Sequence, residues 1–579
     1  MKLEAGIQRK VDEWLNGPYD QETKDTLQSM VDAGEHEKLT DAFYRDLEFG
    51  TGGLRGIMGV GTNRINKYTL GAATQGLSNY LKKQFGGEEI RVALAHDNRL
   101  NAEKFANIVA DVFSANGIKV YFFEGLRPTP ELSFAIRHLN CQSGVMLTAS
   151  HNPREYSGYK AYWSDGGQVI PPHDKKIIAE VKAIEGPDSI HFDREGELVE
   201  KIGSEVDVAF LRKVREAAVF PEVVKKQSDM PIVFSPIHGA SVDMVPAALG
   251  NLGFTKVHLV EEQCDTDGNF PTVVYPNPEE EEAMTLSIKK AQETGAELAM
   301  ASDPDGDRVG IAVKHPGGEY TLLNGNQTAC LLFHYVMNGW KKQGKLSGRE
   351  YIIKTIVTTY LLDKMADEMG IRCYNTLTGF KWIGSIMTSL ESKEKFLVGG
   401  EESYGYLIGD HIRDKDAVVS CAVIAEMAAW YKEQGKSLYE ALMDIHLQYG
   451  LYREKLISFT KKGQEGAAQI AAMMEDLRKN PPQKLDGEKV VLTRDYQSGI
   501  ERNLKTGEES KLDFPQSNVL QFITENETVA SARPSGTEPK IKFYISTNKA
   551  LDSLNGYEEN CRELDQKIDR IKEEFIAGR

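Results

Sequence analysis

The stretch RVALAHDNRLNAEKFANIVADVFSANGIKVYFF, residues 91–123, decides the fold class of this chain. It begins with a β-rich run at 91–95 and continues with a segment whose apolar residues fall on one helical face. Asn116-Gly117 stops that helix, and a second β-rich run follows at 118–123. The order strand, helix, strand predicts a βαβ unit in an α/β domain.

The same order of strand, helix and strand recurs twice further along the chain. One copy runs from 231–235, through a helix that ends at 251–253, into 257–260, and the other joins 351–357 to 371–374. Each unit is followed by another apolar run that ends in a polar loop: TASHNP at 148–153, DPDGDR at 303–308 and GEESYG at 400–405. Because such loops collect outside the carboxyl ends of strands, we expect three similar domains to direct them at one cleft.

The pattern changes to α+β from about residue 452. Strands are predicted near 519–523 and 541–545, with a final helix after them, and the loop RPSGTEPK at 533–540 has an anion-binding composition. We therefore predict four domains: 1–207 with the TASHNP loop, 208–323 with DPDGDR, 324–451 with GEESYG, and 452–579 with RPSGTEPK.

Composition and charge exclude several classes of partner. The formal net charge of −17 disfavours nucleic acid and anionic membrane surfaces. The six cysteines lie far apart without CxxC spacing, which suits a reducing compartment rather than a disulfide framework. The N-terminus resembles a charged amphipathic helix rather than a signal peptide, and the longest apolar run, 417–430, is interrupted by Glu426. We expect a cytoplasmic protein with no membrane partner.

The DPDGDR loop is rich in ligands for a hard divalent cation, since Asp303, Asp305 and Asp307 alternate just past a predicted strand. An EF-hand begins similarly. However, Arg308 and Lys314 stand where that loop requires glycine and a bidentate glutamate. Mg²⁺ beside a phosphorylated group fits these carboxylates better.

Ser150 follows a buried strand, so it is a candidate nucleophile that carries a phosphoryl group. The alternative is a serine that caps a helix starting near 152–153, and the two are compatible because a helix N-terminus favours a phosphoserine. A hydrolase triad is disfavoured because GxSxG is absent, and we expect the adjacent His151 to be unable to take the proton of its neighbour's hydroxyl.

The four motifs, in this order and one per domain, resemble those of the α-D-phosphohexomutase superfamily and most closely its phosphoglucomutase members. The resemblance spans essentially the whole chain. It implies a heart-shaped, four-domain α/β enzyme, with three similar mixed α/β domains and a C-terminal α+β domain of TATA-binding-protein-like topology.

The resemblance also implies roles for individual residues. Ser150 would be the phosphoserine, and its phosphate would share Mg²⁺ with Asp303, Asp305 and Asp307. Lys415 is the candidate for proton transfer. The implied catalytic set is Ser150, Arg55, His151, Lys160, Arg308 and Lys415. The implied substrate-binding set is Thr378, Gly379, Lys381, Glu401, Ser403, Arg413, Arg533, Ser535, Gly536, Thr537 and Lys540.

The activity implied is the interconversion of glucose 1-phosphate and glucose 6-phosphate. One Mg²⁺ per chain and glucose 1,6-bisphosphate, as intermediate and activator, would be the cofactors, and small sugar phosphates the partners of a monomer or weak homodimer. Mannose or pentose phosphates as substrates, hexose-bisphosphate synthesis, and a non-catalytic sugar-phosphate sensor remain open. Because water would hydrolyse a phosphoserine, we expect the C-terminal domain to close about a hinge near 450–452.

Overall fold

The computed structural model describes residues 3–50, 52–461, 463–535 and 540–576. Three helices come first and pack together around Trp14 and Phe43: α1 (Ala5–Asn16), α2 (Gln21–Asp32) and α3 (His36–Phe43). The predicted amphipathic helix at the N-terminus is confirmed as α1, which buries Trp14 on one face.

The first domain is built on a six-stranded sheet in the order β1-β5-β4-β2-β3-β6. Strands β3 and β4 both run parallel to β2, so the predicted βαβ unit at 91–123 is confirmed, while β5 returns antiparallel to β4. The elements are β1 (Gly53–Ile57), α4 (Lys67–Gln84), β2 (Arg91–His96), α5 (Ala102–Ala115), β3 (Lys119–Phe123), α6 (Thr129–His138), β4 (Ser143–Leu147), β5 (Tyr156–Trp163), α7 (His173–Lys182) and β6 (Val199–Ile202).

The second domain carries a five-stranded sheet in the order β11-β10-β9-β7-β8. Its elements are α8 (Ser204–Glu216), α9 (Pro221–Lys226), β7 (Ile232–Ser235), α10 (Met244–Leu252), β8 (Val257–Leu259), α11 (Glu281–Thr294), β9 (Leu298–Ser302), β10 (Val309–Lys314) and β11 (Tyr320–Leu323). Helix α8 spans the boundary predicted between residues 207 and 208, and the predicted domain boundaries stay predictions.

The third domain has a four-stranded sheet in the order β13-β12-β14-β15. Its elements are α12 (Gly325–Lys342), β12 (Glu350–Thr355), α13 (Leu361–Glu368), β13 (Arg372–Thr376), α14 (Phe380–Leu390), β14 (Lys395–Gly400), β15 (Tyr406–Ile408), α15 (Ala417–Glu433) and α16 (Leu438–Tyr449). All three α/β domains therefore repeat the predicted arrangement, in which a parallel pair of strands is followed by a further strand and a polar loop.

The long apolar run at 417–430 is a buried interdomain helix, α15. Glu426 on this helix accepts hydrogen bonds from the backbone N–H groups of Val219 and Phe220 in the second domain, and burial raises its pKa to about 7. Across the described ranges, no helix has both the length and the apolar character needed to cross a bilayer.

The fourth domain is an antiparallel sheet in the order β16-β23-β22-β21-β18-β19-β20, and β17 pairs with β18. Its elements are β16 (Leu451–Thr460), α17 (Gly463–Lys479), β17 (Lys484–Leu485), β18 (Glu488–Asp495), β19 (Ile500–Asn503), β20 (Glu509–Lys511), β21 (Leu520–Thr524), β22 (Val529–Pro534), β23 (Lys540–Lys549) and α18 (Tyr557–Ile576). Helices α17 and α18 supply the apolar side chains that pack on this sheet. The expected α+β character of the C-terminal part is confirmed.

Candidate active site

A cleft of about 1240 Å³ opens where the polar loops of all four domains meet. The predicted site residues that line it are Arg55, Ser150, His151, Lys160, Asp307, Arg308, Thr378, Gly379, Lys381, Glu401, Ser403, Lys415, Arg533, Ser535 and Lys540. Asp303 and Asp305 are fully buried next to it, while Gly536 and Thr537 lie outside the described residues. The structure thus brings together loops that are hundreds of residues apart in sequence.

The serine loop connects two antiparallel strands. Leu147 at the end of β4 pairs with Tyr159 on β5, so the chain turns back within the loop and enters a strand. The alternative, in which Ser150 caps a helix starting near 152–153, is therefore wrong, because this segment is a turn that leads into β5. Ser150 itself is only 3% exposed and adopts a left-handed conformation with φ of 51°, which is strained for a residue with a Cβ.

The Ser150 hydroxyl has two polar neighbours. It donates a hydrogen bond of 2.7 Å to Oδ2 of Asp303, and its Oγ lies 3.1 Å from Nδ1 of His151. The tight turn at Ser150 thus folds the His151 ring to within hydrogen-bond distance of the hydroxyl. The expectation that His151 does not readily take the proton of this hydroxyl stays a prediction. Burial, with the charges of Arg308 and Arg55, lowers the pKa of His151 well below its usual value, which favours the neutral ring.

The DPDGDR loop joins the antiparallel strands β9 and β10 and buries its three carboxylates. Oδ1 of Asp303 accepts hydrogen bonds from the N–H groups of Asp307 (3.1 Å) and Arg308 (3.0 Å), which curls the loop. Gly306 has a φ of 66°, and a Cβ there would lie 2.8 Å from Pro128, so this position requires glycine.

The three aspartates meet the requirements of a metal site. One ligand atom from each of Asp303, Asp305 and Asp307 lies within 4.8 Å of the others. Oδ1 of Asp305 and Oδ1 of Asp307 are buried and accept no hydrogen bond from any residue in the described ranges. Because unpartnered buried carboxylate oxygens are costly, the set fits a hard divalent cation that would bind them.

Two lysines hold the other oxygens of the aspartates. Nζ of Lys160 lies 2.6 Å from Oδ2 of Asp305 and 3.2 Å from Oδ2 of Asp307, and Nζ of Lys415 lies 3.1 Å from the same Asp307 oxygen. Burial opposes ionisation of Asp305, but Lys160 outweighs it and lowers the pKa. Burial and the neighbouring carboxylates instead raise the pKa of Asp303 well above its usual value.

Lys415 is itself buried and protonated. Burial opposes its charge, but Asp307 and Asp414 hold its pKa above the usual range, with Oδ1 of Asp414 3.3 Å away. A raised pKa makes Lys415 a weaker acid, so its lasting positive charge is best suited to neutralise a negative oxygen beside it.

Arg413 lies away from the cleft, contrary to its predicted role in substrate binding. Its guanidinium donates to the backbone oxygens of Asp410 (2.7 Å) and Ile412 (2.8 Å) and pairs with Glu391 at 3.0 Å. Its side chain is 1% exposed, so it is a structural residue of the third domain.

The GEESYG loop is organised by Glu401. Its Oε1 accepts a hydrogen bond of 2.8 Å from the N–H of Gly379, which reaches this position with a φ of 109°. Burial raises the pKa of Glu401 to about 7, although Lys415 opposes the shift. Thr378, Lys381 and Ser403 line the same part of the cleft.

Sequence reasoning missed Glu279 and Thr129. Glu279 pairs with Arg308 at 2.5 Å, and Thr129 at the start of α6 donates a 2.9 Å hydrogen bond to Oδ2 of Asp305. No local motif marks either residue, because each reaches the site from a different strand connection. The acidic segment 279–282 appears in sequence as an ordinary helix start.

Comparisons with known proteins agree with this architecture. Models described as phosphoglucomutase/phosphomannomutase alpha/beta/alpha domains I, II and III match residues 46–187, 209–318 and 324–449. Phosphoglucomutase of Staphylococcus haemolyticus is 36% identical over 87% of this chain and 91% of its own length. The same enzyme of Staphylococcus epidermidis is 34% identical over 92% and 96%.

Solved structures show the same fold. A putative phosphomannomutase from Thermus thermophilus aligns with a TM-score of 0.66 and 22% identity over 91% of this chain and 99% of its own. The open form of the Paramecium phosphoglucomutase parafusin aligns with a TM-score of 0.65 and 19% identity over 91% and 96%.

These matches, which extend over most of the chain, identify an enzyme of the phosphosugar mutase class, whose members are isomerases. The chain belongs to the phosphoglucomutase/phosphomannomutase family. The resemblance to the α-D-phosphohexomutase superfamily and the fold expected from it are confirmed.

Proposed function

We propose that this chain interconverts glucose 1-phosphate and glucose 6-phosphate through phosphorylated Ser150 and glucose 1,6-bisphosphate. The observation that carries the proposal is the contact of 2.7 Å between the Ser150 hydroxyl and Asp303 at the floor of a cleft that all four domains line. The names of the staphylococcal relatives support glucose as the sugar.

In this proposal, Asp303, Asp305, Asp307 and the phosphate on Ser150 would hold one Mg²⁺. The metal would neutralise charge on the transferring phosphoryl oxygens. The protein's own contribution is to keep three carboxylates and two lysines in a dry site, where Lys160 and Lys415 compensate the acidic charge.

Each residue of the cleft has a role in the proposed reaction. The oxygen of a sugar hydroxyl attacks the phosphorus while the bond from phosphorus to the Ser150 oxygen breaks. The proton that the sugar hydroxyl loses is returned to the serine oxygen, and Lys415 is the candidate for this proton transfer. Glu401 and Ser403 bind sugar hydroxyls, while Arg533, Ser535 and Lys540 hold the phosphate that is not reacting. The bisphosphate then turns end for end and returns its other phosphate to Ser150. One phosphate clamp serves both halves of the cycle.

The decisive experiment compares turnover of glucose 1-phosphate, mannose 1-phosphate and ribose 1-phosphate, with and without glucose 1,6-bisphosphate. We expect the highest kcat/KM with glucose 1-phosphate and activation by the bisphosphate. Preference for another sugar would assign the chain to that substrate. Net accumulation of a hexose bisphosphate from a separate phosphoryl donor would indicate a synthase, and binding without turnover would indicate a sensor.

Several expectations from sequence stay predictions. These are the cytoplasmic location, the monomeric or weakly dimeric state, and the absence of nucleic-acid and membrane partners. The six cysteines are free in the structure.

We expect the pH dependence of kcat/KM to follow the ionisation of the Glu401 carboxyl group. Its pKa of about 7 means that the carboxyl is protonated below this value and accepts hydrogen bonds as a carboxylate above it. We expect kcat/KM to rise about tenfold per pH unit below pH 7 and to level above it. Measuring kcat/KM from pH 5.5 to 9 tests this, and Glu401→Gln should remove the inflection.

Glu454 supplies the matched control for this titration. It also lines the cleft, and burial raises its pKa to about 7 as well. If the inflection disappears in Glu454→Gln and survives in Glu401→Gln, the assignment to Glu401 is wrong. An inflection that survives in both variants belongs to the substrate phosphate, whose second pKa is about 6.

Substrate is expected to change the angle of the fourth domain. Domain four contacts the third domain through Gln521, whose Nε2 donates to the backbone oxygen of Ile356 at 2.8 Å, and the connection between the domains passes Gly450 with a φ of 105°. Because a phosphoserine must be kept from water, a sugar phosphate held by the Arg533 loop should draw this domain inward. The prediction would be contradicted if crystal structures with and without sugar phosphate showed the fourth domain at the same angle to the rest of the chain.

A further inference from the structure

We propose that Arg99 is a positioning residue that holds the serine loop in the geometry required for phosphoryl transfer. This inference rests on the proposed function, because it assigns Arg99 a purpose in the chemistry of Ser150. Arg99 follows β2 by three residues, is 3% exposed and is absent from the lining of the cleft. It therefore acts on the site from behind the loop.

The guanidinium group makes four hydrogen bonds to backbone oxygens of the serine loop. Its NH1 donates to the carbonyls of Pro153 (2.9 Å) and Tyr156 (3.0 Å), and its NH2 donates to those of Ser150 (2.6 Å) and Asn152 (2.5 Å). All four protons of the two terminal nitrogens are thus directed at one turn of seven residues. Among the described residues, no other side chain donates a hydrogen bond to the carbonyl of Ser150.

Arg99 is itself locked on two sides. Asp97 accepts the backbone N–H of Arg99 at 2.9 Å, and its second oxygen lies 3.5 Å from Nε of Arg99. From the second domain, the ring of Phe270 lies 5.2 Å from the guanidinium carbon of Arg99. Gly268 packs against the backbone beside Arg99, where a Cβ on residue 268 would lie 2.6 Å from the carbonyl oxygen of Asn98. A side chain with so little freedom is a rigid support.

This support matters because the serine conformation is costly. A left-handed φ at a residue with a Cβ costs about 1–3 kcal/mol, and such strain persists only where surrounding contacts fix it. The same conformation aims Oγ at Asp303. By holding the carbonyl of Ser150 and those of the next residues, Arg99 keeps the hydroxyl beside the cation site.

A lysine cannot replace this arginine. The ammonium group is a compact charge with three protons, whereas the planar guanidinium reaches four acceptors in a fixed fork. Arg99→Lys therefore keeps the buried positive charge next to Asp97 while removing the geometry. This single substitution therefore tests the hydrogen-bond geometry of the Arg99 side chain separately from its charge.

The matched control is Arg64, another buried arginine of the first domain. Arg64 also donates to backbone oxygens, those of Asp41 (3.2 Å) and Asn63 (3.0 Å), but it lies outside the cleft and does not touch the serine loop. Arg64→Lys should reduce stability by the loss of similar hydrogen bonds. It should leave the reaction unchanged.

The experiment measures kcat, KM and melting temperature of the full-length wild type, Arg99→Lys and Arg64→Lys. It also follows phosphorylation of Ser150 by glucose 1,6-bisphosphate in a single turnover, using intact mass. We expect Arg99→Lys to lower kcat and the single-turnover rate by about 10²-fold, since a misplacement near 1 Å has that effect. KM should stay within about threefold, because the sugar and phosphate contacts are untouched.

The outcomes separate the two proposals. If Arg99→Lys lowers the melting temperature like Arg64→Lys but keeps wild-type kcat, Arg99 is only structural and the inference is overturned. If the wild type turns over no sugar phosphate in the same assay, the proposed function is overturned first. Should Arg99→Lys fail to fold, Asp97→Asn loosens the same guanidinium at nearly constant shape, and unchanged kcat in that variant would likewise refute the inference.

Discussion

Replacing Ser150 with alanine is expected to reduce turnover of glucose 1-phosphate by at least about four orders of magnitude, as removal of a covalent nucleophile does. The reason is geometric as well as chemical. The Ser150 hydroxyl lies 2.7 Å from Asp303, and alanine leaves no oxygen at this position to carry the phosphoryl group. Steady-state kinetics and transfer of radioactive phosphate to the protein both measure the effect.

Two control variants separate lost chemistry from lost structure. Ser150→Gly also removes the hydroxyl but relieves the strain of the left-handed backbone, so it should fold well and remain as inactive as alanine. Ser143→Ala, seven residues earlier, removes a buried hydroxyl that donates to the oxygen of Tyr162 at 2.7 Å. It should cost about 1 kcal/mol of stability and leave kcat near wild type. Label on the protein of Ser150→Ala, or normal turnover by it, would refute the mechanism.

The positions of the chemical loops could be predicted from the sequence. Parallel strands deliver their carboxyl ends to one edge of a sheet, so a polar loop after each repeated unit indicated a shared cleft. The alternation of Asp303, Asp305 and Asp307 within six residues was enough to indicate a cation site. These predictions depend on the spacing of residues and on the repetition of one strand–helix–strand unit, and both are visible in the sequence.

The errors arose where a contact depends on a turn. The helix expected near 152–153 is absent because β5 pairs with β4, and strand pairing is a non-local choice that a capping pattern does not reveal. His151 reaches the Ser150 hydroxyl only because the backbone at Ser150 is left-handed, which no residue type at that position signals.

Other features depend on packing between domains. Arg413 stands in a segment rich in site residues, yet it faces Glu391 and the backbone rather than the cleft. Conversely, Glu279 and Thr129 reach the site from segments without any motif. The direction of a side chain depends on the residues that pack around it in the folded domain. A motif shows only which residues are close in sequence.

The site also explains how an acidic protein binds a dianion. The net charge of −17 belongs to the whole chain, whereas five basic residues line this one cleft: Arg55, Lys160, Arg308, Lys381 and Lys415. Glu279 holds Arg308 in place. Because a narrow cleft with low-dielectric walls strengthens local charges, this arrangement governs the encounter with a sugar phosphate more than the net charge does.

Asp305→Asn is expected to lower kcat by about 10³-fold and to remove most of its dependence on Mg²⁺, because the loss of several kcal/mol of charge stabilisation at the transition state corresponds to that factor. Asp305 is the informative aspartate. Its Oδ1 accepts no hydrogen bond from the described residues, so it is free for a cation, while Oδ2 is held by Lys160 and Thr129. An asparagine keeps the shape and one acceptor oxygen but loses the charge.

Glu350→Gln is the matched control, because Glu350 is a buried carboxylate of the third domain that accepts N–H groups of the turn at 347–349, outside the cleft. It should lose stability while keeping the Mg²⁺ dependence of the wild type. Titration of kcat with Mg²⁺ after treatment with a chelator, together with the melting temperature, distinguishes the two variants. If Asp305→Asn responds to Mg²⁺ as the wild type does, the cation is held elsewhere. Asp305 and Asp307 would then serve only to position Lys160 and Lys415 through their Oδ2 atoms.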